Sequence, residues 1–368
     1  MRSSRNRWIM PLSFAGILCL ILDARSAVSG AQDGLYICAR SIIPSLFPLI
    51  FLTKILNSGL TGSTKLFPKM EKTLHLPYGS GRIWALSCLS GYPVGSHLIG
   101  QKKKDCKISD FDANRILLFC NNPGPAFIFG VTGPLFSSLL APLILWGILL
   151  LISLITGAVF PGSNNHTTAE DSGHTQSLST YLTESICSVS SICGWIILFR
   201  TFLAVINRWL LQFLPTYLKV IIYGIFELAN GCVELGNIHL EGIRFILCAA
   251  FLSFGGICVN LQTMSAMPSA KMDIYCLSKS FQCVLATILA YILQHIVFAE
   301  DQRINLPVWC FLPVIFIAFG SFGLLYRKIV VEKKKSMLYN QENKSIRGTH
   351  YAVPKENRKI LQLLQIWH

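Results

Sequence analysis

The chain alternates long apolar runs with short polar segments, and several runs approach or exceed the roughly 20 residues needed to cross a hydrocarbon core of about 30 Å. Residues 134–160, 279–299 and 306–326 are the plainest of these, with 42–58, 186–206 and 243–267 beside them. Other apolar stretches are interrupted. RIWALSCLSGYPVGSHLIG, residues 82–100, breaks at Gly91-Tyr92-Pro93, and LLFCNNPGPAFIFGV, residues 117–131, places Asn121, Asn122, Pro123, Gly124 and Pro125 where a helix should be continuous. Amides freed by such breaks cost several kcal/mol each in lipid, so irregular backbone at that depth belongs inside protein or along a wet cavity.

Lys and Arg gather on the cytoplasmic side of membrane proteins. Here they cluster at the N-terminus (Arg2, Arg5, Arg7), in 65–82, in 102–115, from Lys271 to Lys279 and in the tail from Arg327. With basic segments on both flanks, 82–100 is expected to enter and return as a re-entrant hairpin. Carrying the parity onward predicts an all-α polytopic membrane protein with about eight transmembrane helices, plus a second re-entrant hairpin over 220–242.

The halves follow one plan: apolar span (42–58), interrupted segment (LSGYPVGSHL), broken span (FCNNPGPAFIFGV); then apolar span (186–206), IFELANGCVEL, AAFLSFGGICVNLQTM. Their hairpins enter from opposite sides, which is an inverted repeat of the kind found in secondary transporters. The expected division is an anchor span and loop (1–40), a first repeat (41–160), a flexible linker (161–180), a second repeat with C-terminal spans (181–326) and a basic cytoplasmic tail (327–368). Trp8 to Leu22 is expected as an uncleaved first span, with a cleaved signal peptide as the alternative.

Composition agrees. The 368 residues are 52% hydrophobic and 14% charged, with a mean hydropathy of +0.52, too apolar for a soluble protein. The net charge of +14 reads as orientation, because no basic folded surface interleaved with aromatics suggests nucleic acid. Thirteen cysteines include no C-x-x-C pair and read as small buried hydrophobes. Eight histidines show no H-E-x-x-H spacing. No nucleophile with its base and no metal cluster is visible, so neither catalysis nor a cofactor is expected. The expected partners are the bilayer and a small anionic solute, with homo-oligomerisation left open.

The breaks supply the candidate site. Interrupted helices expose free N-termini carrying roughly half a positive charge and unpaired amide donors. Ser90, Gly91, Tyr92, Pro93 and Gly95 form the first hairpin tip, whose alternative role is a Gly-x-x-x-Gly packing surface. Asn121, Asn122 and Pro123 mark the first broken span; the amides either contact solute or satisfy carbonyls freed by proline. Glu227 and Asn230 lie in the second hairpin, and Gly255, Gly256, Asn260 and Gln262 in the second broken span. Glu227, deep in an apolar stretch, is a candidate for binding a coupling ion or proton, with pairing to Arg200 as the alternative. Lys54 is expected to snorkel.

SGYPVGSHLIG followed by LLFCNNPGPAFIFGVTG, and again SFGGICVNLQ, resembles sporulation integral membrane proteins of the YlbJ type, within the nucleoside-recognition, or Gate, domain family. The resemblance runs from about Ser41 to Tyr326. It implies movement of dipicolinate, a small aromatic dianion, across the outer forespore membrane of a sporulating bacterium. A nucleoside transporter and a forespore membrane assembly scaffold are the alternatives, since fold-level likeness does not fix a ligand.

Overall fold

The computed structural model describes residues 2–59, 67–73, 79–104, 108–160, 177–305 and 320–332, and none of these forms a β-strand. Arg2–Leu22 (α1) passes through Asp23 into Ala24–Ile37 (α2), which continues by a π-turn at Cys38–Ile42 into Ile43–Gly59 (α3). Residues 24–40, expected as loop, are thus helix. Small residues explain it: Ala27, Gly30 and Gly34 are buried on one face of α2. A Cβ on Gly30 would stand 2.6 Å from Ala204, and one on Gly34 would stand 2.9 Å from Ile197. These residues let two helix backbones approach closely.

Pro68–Thr73 (α4) precedes the first hairpin, made of Ser80–Ser90 (α5) and Val94–Lys104 (α6) around the turn at 91–93. Asp110–Leu117 (α7) starts at Ser109, whose hydroxyl accepts from the Asp112 N–H at 3.0 Å. Asp110 and Asp112 in its first turn suit the helix dipole. The chain then runs irregularly through 118–124. It re-enters helix at Pro125–Phe127 (α8), where proline suits the first turn, and continues through Ile128–Thr132 and Gly133–Leu135. Leu140–Val159 (α9) closes the first half.

Leu178–Trp209 (α10) opens the second, capped by Ser177. Thr216–Phe226 (α11) and Leu228–Glu234 (α12) meet at Glu227. Glu241–Phe254 (α13) and Gly256–Ala266 (α14) meet at Gly255. Met272–Val297 (α15) follows, then a helix over 320–332 (α16). The order of helix, hairpin and broken helix therefore occurs in each half.

Five helices among the described residues are long and apolar enough to cross a membrane: Ala24–Leu56, Leu140–Val159, Leu178–Trp209, Glu241–Ala266 and Met272–Val297. Ser13–Leu22, Pro125–Leu135 and Thr216–Phe226 are apolar but shorter. Of the expected segments, 161–176, 306–319 and 333–368 lie outside the described residues.

Large apolar side chains lie on the outside, while several polar side chains are enclosed. Leu139, Phe213 and Ile296 are 90%, 76% and 70% exposed, while Asn121, Asn230 and Lys279 are fully enclosed. One apolar core joins the halves, with Ile42, Phe119 and Ile128 from the first and Val220, Phe245 and Tyr275 from the second. Exposed apolar side chains outside and enclosed polar groups within the apolar core, together with the apolar helices, make this an integral membrane protein. The charge reading needs one correction. Arg82, Arg115 and Lys279, counted above as loop cations, are buried, with Arg82 and Arg115 in α5 and α7 and Lys279 two turns inside α15.

Candidate functional site

Each hairpin tip rests on the break of its own half. Gly91 has φ +82°, a conformation that favours glycine. A Cβ on it would stand 2.5 Å from the Gly124 nitrogen. One turn on, a Cβ at Gly95 would stand 1.8 Å from the Cys120 carbonyl oxygen, the same oxygen to which the Ser87 hydroxyl donates. Gly91 and Gly95 are therefore a packing surface, seated on the backbone of the broken span. In the second half, Gly256 (φ +76°) brings the α13/α14 break against the tip of α11/α12, where a Cβ would stand 3.1 Å from the Gly224 oxygen and 3.4 Å from the Leu228 nitrogen.

The halves are joined through these same elements. The Tyr92 hydroxyl donates to the Leu252 carbonyl at 3.3 Å. The Asn121 amide donates to the Thr263 and Tyr275 hydroxyl oxygens, each at 2.8 Å. Between them lies a cavity of about 40 Å³ whose wall includes Gly91, Tyr92, Pro123 and Gly124 from the first half and Glu227 and Gln262 from the second. Ile42, Leu46, Ile192 and Ile196 supply apolar wall from the long helices. That space admits water-sized molecules.

The other candidates lie on the same hairpins and broken spans. The Ser90 hydroxyl turns away to donate to the Leu86 carbonyl at 2.8 Å and to meet Thr53 of α3. The Pro93 carbonyl accepts from Ser96 at 2.7 Å, which fixes the start of α6. The Asn122 amide donates to the Phe119 carbonyl at 2.7 Å, satisfying an oxygen freed by the break. Gly255 (φ +79°) passes next to Tyr92. The Gln262 amide lies 3.3 Å from the Cys258 sulfur. Asn230 is enclosed with both amide atoms unpartnered among protein groups, and one oxygen each of Asn121 and Asn260 is in the same state. Such groups cost about 1–3 kcal/mol apiece.

Glu227 has a definite local task. Its carboxylate accepts from the Ala229 N–H at 3.0 Å and the Asn230 N–H at 2.6 Å, capping α12. The start of this half-helix is thus occupied by the protein's own anion. Arg200 instead reaches Asp33 at 3.6 Å and Glu234 at 3.4 Å, with its guanidinium 5.7 Å from the centre of the Tyr223 ring. Lys54 pairs with Glu184 at 3.0 Å.

Lys279 is a central residue that charge counting placed in a loop. Its ammonium donates to the Asn121 carbonyl, to Asn122 Oδ1 at 3.1 Å and to Gln282 Oε1 at 3.1 Å. Gln282 and Ser278 in turn donate to the Leu118 carbonyl, at 2.6 and 3.1 Å. One face of α15 thereby replaces the helical ladder that the Asn-Asn-Pro break gives up. Tyr275, Ser278, Lys279 and Gln282 fall at i, i+3, i+4 and i+7, a polar stripe readable in the sequence. Burying a cation without a counter-charge costs several kcal/mol, so Lys279 is expensive for holding a loop. Among the described residues, no three His, Cys, Asp or Glu side chains gather as a metal site requires.

The chain is similar to the sporulation integral membrane protein YlbJ of Bacillus subtilis (strain 168), with 28% identity over 114 residues. The match covers 30% of this chain and 28% of that relative's length. It supports the resemblance drawn from the Gly-Tyr-Pro and Asn-Asn-Pro segments. No family model matches the chain, and no solved structure matches it.

Proposed function

We propose that this protein is a transporter or facilitator that moves a small anion by rocking its two halves about the central cavity, without chemical conversion of the solute. The observation that carries the reading is the meeting of both hairpin tips, the first helix break and α14, the helix that follows the second break, on one cavity wall. A structural scaffold has no use for that expensive backbone, whereas a transporter needs irregular segments that pair with a solute in place of the helical ladder. The finer topology belongs to the same proposal: about eight crossings and two re-entrant hairpins, entering from opposite sides as an inverted repeat. Rocking then turns the cavity toward one side of the membrane at a time.

The similarity to a sporulation membrane protein supports a membrane role in sporulation, and the proposed cargo is dipicolinate crossing the outer forespore membrane. The test is to assay dipicolinate separately in mother cell and forespore of sporulating cells lacking the protein. Dipicolinate retained in the mother cell supports translocation; a normally filled forespore removes this cargo. A nucleoside is the second reading, favoured by Glu227 and Gln262 beside the rings of Tyr92 and Phe127 in the cavity wall, groups suited to a base and sugar hydroxyls. Competition by nucleosides against labelled dipicolinate separates the two cargoes.

A further inference from the structure

The ammonium of Lys279 is fully enclosed where the two halves meet. It has three N–H donors and no acceptor capacity, and it faces three oxygens: the Asn121 carbonyl, Asn122 Oδ1 and Gln282 Oε1. All three acceptors are neutral. Its flanks are two aromatic faces, with ring centres 5.4 Å away at Tyr92 and 5.7 Å away at Tyr275. Aromatic faces attract a cation weakly without neutralising it.

A neutral donor would be enough to hold the break together, as Gln282 and Ser278 do at the Leu118 carbonyl. A lysine adds only charge, and here the charge has no partner ion. Its surroundings explain how a solute reaches it. Tyr92, whose ring covers the ammonium, also forms part of the cavity wall, as do Pro123 and Gly124, the two residues that follow the Asn121 and Asn122 acceptors. Movement of the Tyr92 tip or of the Asn-Asn-Pro segment would bring the ammonium and the cavity together. The carboxylate already in the cavity wall, Glu227, is engaged by two backbone N–H groups at the start of α12.

We propose that Lys279 is the residue that makes the site select a carboxylate: when the cavity opens, its ammonium exchanges the oxygens of Asn121 and Asn122 for a carboxylate of the solute. In this conformation the break itself holds the ammonium, so cargo binding and release of the break become one exchange. This deepens the transport reading and rests on it.

The test uses the full chain in phosphatidylethanolamine and phosphatidylglycerol vesicles, with uptake of labelled pyridine-2,6-dicarboxylate compared with its neutral diamide. Wild type is expected to take up the dianion at least about tenfold faster, the scale of a hydrogen bond to a charged group. Lys279→Gln is expected to lose that preference, with the dianion-to-diamide ratio falling to about one, and Lys279→Arg to keep part of it. A Lys279→Gln protein that still prefers the dianion overturns the role of Lys279 and leaves transport standing. A wild type that moves neither compound overturns transport itself. If size exclusion shows that Lys279→Gln does not fold, the wild-type ratio decides, and a dianion taken up no faster than the diamide overturns the assignment.

Discussion

The Tyr92 hydroxyl lies 3.3 Å from the Leu252 carbonyl, so the hairpin tip of the first half is tied to the broken helix of the second. A rocking motion that opens the cavity must change this contact, because Tyr92 lines the cavity and Leu252 lies three residues before the Gly255 break. Replacing Tyr92 with Phe keeps the ring and removes the bond. A buried hydrogen bond of this kind contributes about 0.5–1.5 kcal/mol. The expected result is a melting temperature in detergent lower by about 2 °C, with solute uptake retained. A loss of uptake with the stability unchanged would instead place the hydroxyl in direct contact with the solute.

Gly95 and Gly147 make opposite predictions for the same substitution. A Cβ at Gly95 would stand 1.8 Å from the Cys120 carbonyl oxygen, whereas nothing lies within 4 Å of one at Gly147. Gly95→Ala must therefore push α6 off the broken span, and the expected outcome is loss of monodisperse protein after extraction. Gly147→Ala should be neutral or gain up to about 1 kcal/mol, since alanine is the better helix former. Fluorescence-detected size exclusion on the two variants decides it, and equal yields would mean that the first hairpin does not sit on the Cys120 carbonyl.

Much of this site was legible in the sequence because it is built from residues that break helices. Gly91-Tyr92-Pro93, Asn121-Asn122-Pro123 and Gly255-Gly256 interrupt apolar runs, and each proved to be a break. The hairpin around Glu227 was legible by correspondence between the halves. Other features were hidden for identifiable reasons. α2 looked like a loop because Gly30 and Gly34, which resemble turn residues in isolation, serve a helix contact that only the presence of α10 reveals. Lys279 was counted with Lys271 as a loop charge. The spacing Tyr275, Ser278, Lys279, Gln282 would have moved it onto a helix face. That the Glu227 carboxylate caps its own half-helix depends on backbone geometry that no residue pattern announces.

Asn121 ties the first break to two elements of the second half through one amide. Its Nδ2 donates to Thr263 and Tyr275 at 2.8 Å, and its own carbonyl accepts from Lys279. Asn121→Leu removes both side-chain bonds and leaves the Tyr275 hydroxyl, which is enclosed, without this partner. The cost is on the order of 1–3 kcal/mol, well short of expelling the protein from the membrane. The expected phenotype is an inserted protein with uptake lowered at least about tenfold, by the same scale of lost bonding. Normal uptake by an inserted Asn121→Leu protein would remove the first break from the transport path.

Glu227 separates a capping role from an ion-coupling role. Its two oxygens accept from the Ala229 and Asn230 N–H groups, a task that asparagine also performs well at a helix start and alanine does not. If capping is its task, Glu227→Ala lowers stability by about 1 kcal/mol, while Glu227→Asn stays near wild type. Uptake by the Asn variant then follows the wild-type pH profile, because no ionisable group at 227 takes part in the cycle. Uptake measured across pH in vesicles checks this. An Asn variant that folds normally but loses uptake, with Glu227→Asp restoring it, would show that the charge itself is used, and the carboxylate in the cavity wall would then be the coupling site that its depth in an apolar stretch first suggested.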